Sequence, residues 1–460
     1  MWRERRLLWL AVAILLLAGV SLVTSSVRLN AQAKERLMVA EEEARLWDSQ
    51  GVIDPHDAAH VGRAIPAPVK PLAVFDPGLT DFVGTSVFIE GHAQNPARHR
   101  PIDRGAALSR FGGFSAAWTL QIVAPLMVIL AGFTTITGES ARARLRQELG
   151  AGAPAAALVG GRLLALTAAG SLFVFIMLGV SMPAMFLQGA SRDDFASLAL
   201  IGFGYALYIL VFASLTVAVS ALFASARTAL VVLLGFWAVS TLLVPRVAPS
   251  LAESLKPTPS APAFRAAVTE EAKNGVSGHD PADARLDAIK QALLKQYGAT
   301  DVDALPVNFR GLALEFGEKN STETYNRHFE KLYEVYKQQA LLQRGFAGLS
   351  PTLALQPWSR AFASTDFANH LSFLREVEDY RYRLVQTLNR EVAAHKPAPG
   401  ESNHRADIAN LTRNIEFSPQ KRQLIEVATE QAPNLVILLV WVFCSTAFAA
   451  ACTSRLGGRL

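Results

Sequence analysis

Six mostly apolar stretches run along the chain, at 7–27, 117–137, 160–187, 196–223, 228–247 and 433–453. Each holds about 20 residues or more, the length that crosses a bilayer as a helix. Three connections are short. Two are long and polar: 28–116 between the first and second stretches, and 248–432 between the fifth and sixth. The pattern predicts a membrane all-α protein: six transmembrane helices and a mainly helical extracytoplasmic domain built from two insertions. Spans one, two, five and six bring four chain ends to the same side, so the two insertions are expected to fold together.

Within the first insertion, Ala33 to Gln50 reads as a helix that continues span one outward as a stalk. The prolines of Ile65 to Pro77 bar regular helix there. Ser86 to Glu90 suits a short strand, and Gly112-Gly113 marks a break before span two. In the second insertion, Lys256 to Pro262 is a linker and Ala282 to Tyr297 has helical spacing. Ser321 to Gln343 carries Tyr325, Phe329, Leu332, Tyr336 and Ala340 on one face. Thr365 to Arg390 carries Phe367, Leu371, Leu374, Val377, Leu384 and Leu388, with Thr365-Asp366 as its cap. These stripes read as core faces. His395 to Ser402 is a loop by composition.

Composition agrees with a membrane protein. Hydrophobic residues make up 51 %, charged residues 18 %, and the mean hydropathy is +0.25. The net charge of +5 is not gathered into a basic stripe with interleaved aromatics, so nucleic-acid binding is not expected. Much of the excess flanks the spans and predicts orientation. Arg3, Arg5 and Arg6 precede span one. Arg142, Arg144, Arg146 and Arg162 follow span two, Arg227 follows span four, and Arg455 and Arg459 close the chain. The opposite loop, 188–194, carries more acid than base. Both termini are therefore expected in the cytoplasm and both insertions outside. The apolar core from Leu7 to Val23 is too long for a signal peptide and reads as an uncleaved anchor. The expected order is a short cytoplasmic N-terminus with span one (1–27), insertion (28–116), span (117–137), cytoplasmic loop (138–159), spans (160–187, 196–223, 228–247), insertion (248–432), span (433–453) and cytoplasmic tail (454–460).

Catalytic motifs are absent from the sequence: it has no P-loop, His-Glu-x-x-His or Gly-x-Ser-x-Gly. The chain is not expected to be an enzyme or to hold a cofactor. Cys444 and Cys452, the only cysteines, lie eight residues apart in span six, about 12 Å along a helix and beyond disulfide reach. His56 and His60 stand at i, i+4, a spacing that puts two imidazoles on one helix face as zinc sites do. Pro55 precedes them and the sequence offers no evident third ligand, so they read as exposed loop histidines; His92 and His99 give a weaker signal. Asp301 and Asp303, and Glu376, Glu378 and Asp379, read as solvated faces. The spans hold almost no charge, which argues against an ion-coupled carrier. Energy would have to arrive from another chain.

One cytoplasmic element has the substance to receive it. From Thr137 to Gly152 the loop predicts a short helix between Glu139 and Leu149, ended by Gly150 as a C-cap. It is either a basic lip that fixes topology or a docking helix for an ATPase.

The span order, the insertions after spans one and five, and Gly138-Glu139 after span two resemble ABC-2 type exporter permeases. More narrowly, Leu305-Pro306-Val307-Asn308-Phe309-Arg310-Gly311 and the stretch from Leu349-Ser350-Pro351 through Thr365-Asp366-Phe367 to Glu378-Asp379-Tyr380-Arg381 resemble bacterial ABC transporter permeases of the DUF3526 class. The likeness runs over nearly the whole chain. It implies a permease subunit of an ATP-driven exporter in the bacterial inner membrane, and the apolar spans suggest an amphipathic or lipid-like cargo. Its partners would be membrane lipids, a second permease half (a copy or a sister chain) and two copies of a separate ABC ATPase subunit that holds ATP-Mg. Gly138, Glu139, Arg142, Arg144, Arg146 and Glu148 would belong to the ATPase-coupling loop. The alternative is a non-transporting transmitter that passes ATPase-driven movement to a large periplasmic domain. Two departures stand out. Ser140-Ala141-Arg142-Ala143-Arg144 replaces the usual continuation of the loop, and only Met1 to Arg6 precede span one, where such permeases commonly carry an amphipathic helix. Either that helix is lost or the true start lies upstream.

Overall fold

The computed structural model describes residues 5–95, 97–98, 114–280, 282–397 and 402–454 of the 460-residue chain. Arg3, His99, Gly112-Gly113, Arg455 and Arg459 lie outside the described residues.

Helix α1 (Arg5–Asp48) is continuous over 44 residues, about 66 Å. From Ala18 to Arg36 its buried positions form a narrow seam: Ala18, Ser21, Ser25, Leu29, Gln32 and Arg36. Leu15, Leu16, Val20 and Val23 beside that seam are exposed, as side chains facing lipid would be. The first insertion then forms β1 (Val52–Ile53), α2 (Pro55–Val61), β2 (Arg63–Pro66), β3 (Ser86–Ile89) and β4 (Ala97–Arg98). Strands β2, β3 and β4 pair antiparallel in that order, with Arg63 opposite Ile89 and Ser86 opposite Arg98. The proline-rich stretch after β2 makes only one 3-10 turn, Pro71–Val74.

Helix α3 (Ala116–Gly132) has 17 residues, about 25 Å, and stops short of the span predicted to reach 137. Hydroxyls end it. Thr135 and Thr137 donate to the carbonyls of Gly132 and Phe133, and Ser220 donates to Phe133 while accepting the Ile136 N–H. After it come α4 (Glu139–Gly150), α5 (Ala155–Leu187), α6 (Arg192–Leu222) and α7 (Ala226–Leu255). Among the described residues, α1, α5, α6, α7 and the last helix, Leu424–Ser454, are long and apolar enough to cross a membrane. Helix α6 is buried almost all round from Ser197 to Ala221 and forms the axis of the bundle.

The second insertion continues with α8 (Ala261–Lys273), α9 (Asp287–Tyr297), α10 (Phe309–Gly345), α11 (Pro351–Phe362) and α12 (Phe367–Ala394). Then follow β5 (Ala406–Asp407), α13 (Ile408–Thr412) and α14 (Leu424–Ser454). Helix α10 begins twelve residues before the predicted Ser321, because Asn308 caps it through the Arg310 N–H. Asp366 caps α12. The two insertions share structure: β1 pairs with β5, and Trp47, Ile65, Val87 and Ile89 pack in one core with Phe373, Val377, Tyr380 and Leu388.

Helix α11 does not join that core. Leu353, Ala354, Leu355, Trp358 and Phe362 pack into the core of the spans. Pro125 lacks the N–H that would bond to the Gln121 carbonyl four residues back. The Tyr208 hydroxyl of α6 donates to that carbonyl at 2.8 Å, and Thr352 of α11 lies 2.9 Å from the same hydroxyl. Gln356 donates to the Gln121 side chain, Trp358 to the Leu200 carbonyl and Ser359 to Asp76. Ser350 donates to the Ser240 carbonyl, where α7 widens into a π-helical turn over Ala238–Leu243.

Candidate functional site

Two sites stand at opposite ends of the bundle. The first is α4, beside the ends of α3 and α6. Gly138 precedes it at φ +88°, a left-handed conformation that favours glycine. Ala141 and Leu145 are buried against the bundle, one helical turn apart. Arg142 donates to the Phe223 carbonyl at 3.4 Å, and Glu148 pairs with Arg162 at 2.8 Å. Glu139, Arg144 and Arg146 project into solvent. Gly150 is the last helical residue and not the cap. Gly152, at φ +86°, takes that role: its N–H bonds to the Leu149 carbonyl, and Ala153 bonds to Glu148, the paired closure of a Schellman motif. The helix is thus fixed along the Ala141–Leu145 face, and among the described residues the exposed Arg144 and Arg146 guanidinium groups have no partner.

The second site lies among the insertions, where the histidines are not the exposed loop residues that the sequence suggests. Pro55 starts α2 as its first residue, with Asp54 as the cap that accepts the His56 N–H at 2.9 Å. His56 and His60 then fall on one face of that helix, and His56 is buried. His92, after β3, and His279, between α8 and α9, meet them. The Nε2 atoms of His56, His60 and His279 are 3.1, 3.4 and 3.5 Å apart. With a ring nitrogen of His92, the four ligand atoms lie within 4.8 Å of one another. Burial pushes His56 down to about 4, with the other three imidazoles adding to the effect. Burial also lowers His60 and His279. His56, His60 and His279 are therefore neutral at ordinary pH.

Side chains behind the rings set their orientation. Nδ1 of His56 is 2.9 Å from the Asn389 side-chain oxygen, so it carries the proton and Nε2 keeps a lone pair. Nδ1 of His92 is 3.1 Å from Glu318, and its Nε2 is buried with no hydrogen-bond partner among the described residues. The His92 backbone is held in the left-handed region at φ +60°. Its N–H donates to Glu318 and its carbonyl accepts from Ser321.

Glu318 belongs to a buried ion group. Arg381 donates to Glu318 at 2.5 Å, to Glu378 at 2.7 Å and to the Thr322 hydroxyl at 2.6 Å. Burial alone would push the Glu318 carboxyl up, but His92 and the Arg381 guanidinium hold it down at about 2. Glu378, which the sequence suggests is solvated, is buried against Arg381; Asp379 beside it is exposed. The predicted core stripe of α10 is also only half-buried. Phe329, Leu332 and Tyr336 face Phe82, Phe367 and Leu374 across an open groove of about 690 Å³.

A DUF3526 domain, described as a domain of unknown function, is found at residues 262–413, spanning α8 through α13. Comparison with the curated proteins and with the solved structures finds no match.

Proposed function

We propose that this chain is the membrane-spanning permease subunit of an ATP-driven transporter of the ABC-2 type. It sits in a bacterial inner membrane with both termini in the cytoplasm and both insertions in the periplasm. The observation that carries the reading is α4. An interfacial helix anchored by Ala141, Leu145, Arg142 and Glu148, with Arg144 and Arg146 exposed, has the form of a docking element for a negatively charged partner. ATP hydrolysis belongs to that partner, and a second permease half completes the pathway. The bilayer-length helices and the DUF3526 domain between α7 and α14 agree with this reading. Spans poor in charge and the apolar groove between α10 and α12 suit an amphipathic or lipid-like cargo.

A second reading rests on α11. Through Ser350–Ser240, Thr352–Tyr208 and Ser359–Asp76, movement of the spans would reach the insertions directly. A transmitter that drives a periplasmic domain without moving cargo would use the same path. Purification from the native membrane in mild detergent, with mass spectrometry of the co-purifying chains, tests both readings. An ABC ATPase in stoichiometric amount supports them, and its absence while other transporters stay assembled removes them. Cargo-dependent stimulation of ATPase activity in liposomes then separates the permease from the transmitter.

A further inference from the structure

We propose that His56, His60, His92 and His279 bind a single divalent first-row transition metal ion, with zinc favoured by the geometry. This inference does not depend on the transporter reading.

The spacing carries the argument. Zinc–imidazole bonds of about 2.0–2.1 Å in a tetrahedron put neighbouring nitrogens about 3.4 Å apart. The Nε2 atoms of His56, His60 and His279 form a triangle with sides of 3.1, 3.4 and 3.5 Å, the size and shape of one tetrahedral face. A square-planar site, the preference of Cu(II), would stretch one of those sides to a diagonal of about 4 Å. The donors are all imidazole nitrogens, which excludes calcium and magnesium as natural occupants.

The outer contacts are those of a ligand set. Asn389 and Glu318 each engage an Nδ1, turning the Nε2 lone pairs of His56 and His92 inward. The buried Nε2 of His92 has no hydrogen-bond partner among the described residues. His279 is held in place because Gly278 and Gly317 let its loop press against α10. A Cβ on Gly278 would lie 2.4 Å from the Ala313 carbonyl oxygen, and one on Gly317 2.2 Å from that of Ser277. His60 and His279 are exposed, which leaves an entry path. Three ligands come from the first insertion and one from the second, so the ion would fasten the 275–279 loop to α2.

The test uses the full-length protein in detergent, purified through a tag without histidine and stripped with a chelator. Titration with Co²⁺ should give the intense visible absorption of a tetrahedral site, saturating at one equivalent and displaced by Zn²⁺. His60→Gln and His279→Gln, both at exposed positions, should each weaken binding more than about tenfold while the chelated variants melt like the chelated parent. Lack of saturable binding in the parent would overturn the proposal. So would binding that survives unchanged in both variants.

Discussion

The hydroxyl of Tyr208, deep in α6, lies 2.9 Å from the hydroxyl of Thr352 on α11. A helix from the second insertion is thereby bonded to the central helix of the bundle, at the carbonyl that Pro125 leaves free. Tyr208→Phe removes both hydrogen bonds of this hydroxyl and leaves the Gln121 carbonyl buried without a donor. We expect a loss of about 1–3 kcal/mol, read as a lower unfolding midpoint in detergent. Thr352→Val should cost less, because Tyr208 still donates to Gln121.

Among the described residues, Arg381 supplies the only guanidinium or ammonium group that contacts the buried carboxylates of Glu318 and Glu378. Arg381→Met keeps the volume, strands Glu378 and leaves Glu318 with only the His92 and Thr322 contacts. The expected cost is about 3–5 kcal/mol, enough to reduce the yield of folded protein. Adding Glu318→Gln and Glu378→Gln should recover part of that loss. If Arg381→Met alone melted like the parent, the ion group would not hold α10 to α12.

Helices α10 and α12 approach closely at one glycine. A Cβ at Gly311 would sit 2.2 Å from the backbone nitrogen of Ala393, and backbone cannot swing aside as a flexible side chain can. Gly311→Ala should therefore lower the melting temperature. At Gly345, the last residue of α10, a Cβ meets nothing within 4 Å. Gly345→Ala should be neutral or stabilising by up to about 1 kcal/mol. The pair of variants separates close packing from helix propensity.

Burial and the nearby Lys70 push His370 down to about 4. Its unfolded value is near 6.5. Between those values the unfolded chain binds the proton and the folded protein does not. The contribution of His370 is thus complete above pH 6.5, falls as the pH drops toward 4, and is constant below that. At most it amounts to about 3 kcal/mol. Melting curves across this range should show His370→Phe losing less stability than the parent. Parallel pH profiles would contradict the assignment.

The long helices were legible because lipid-length apolar runs need no tertiary information. Helix α11 was not: twelve residues containing Gln356, Pro357 and Ser359 are too short to cross a bilayer, and their burial depends on Tyr208 and Asp76. The spacing of His56 and His60 is legible, but a preceding Pro55 suits a loop as well as a helix, and only behind the Asp54 cap is it a helix start. His279 stands 219 residues from His60 in the chain, and only the packing of one insertion on the other brings them together. Glu378 has Arg381 three residues on, yet the burial of the pair comes from Glu318, which lies 63 residues from Arg381. Two glycines could have closed α4, and the choice of Gly152 over Gly150 depends on one further helical residue.

The proposed coupling role of α4 is tested most directly by reversing its exposed charge. Arg144→Glu with Arg146→Glu leaves Ala141, Leu145 and the Glu148–Arg162 pair in place, so the thermal midpoint should not move. The account predicts that the double variant, expressed at the parent's level, no longer co-purifies with an ATPase. Retention of the ATPase at the parent's yield would contradict it.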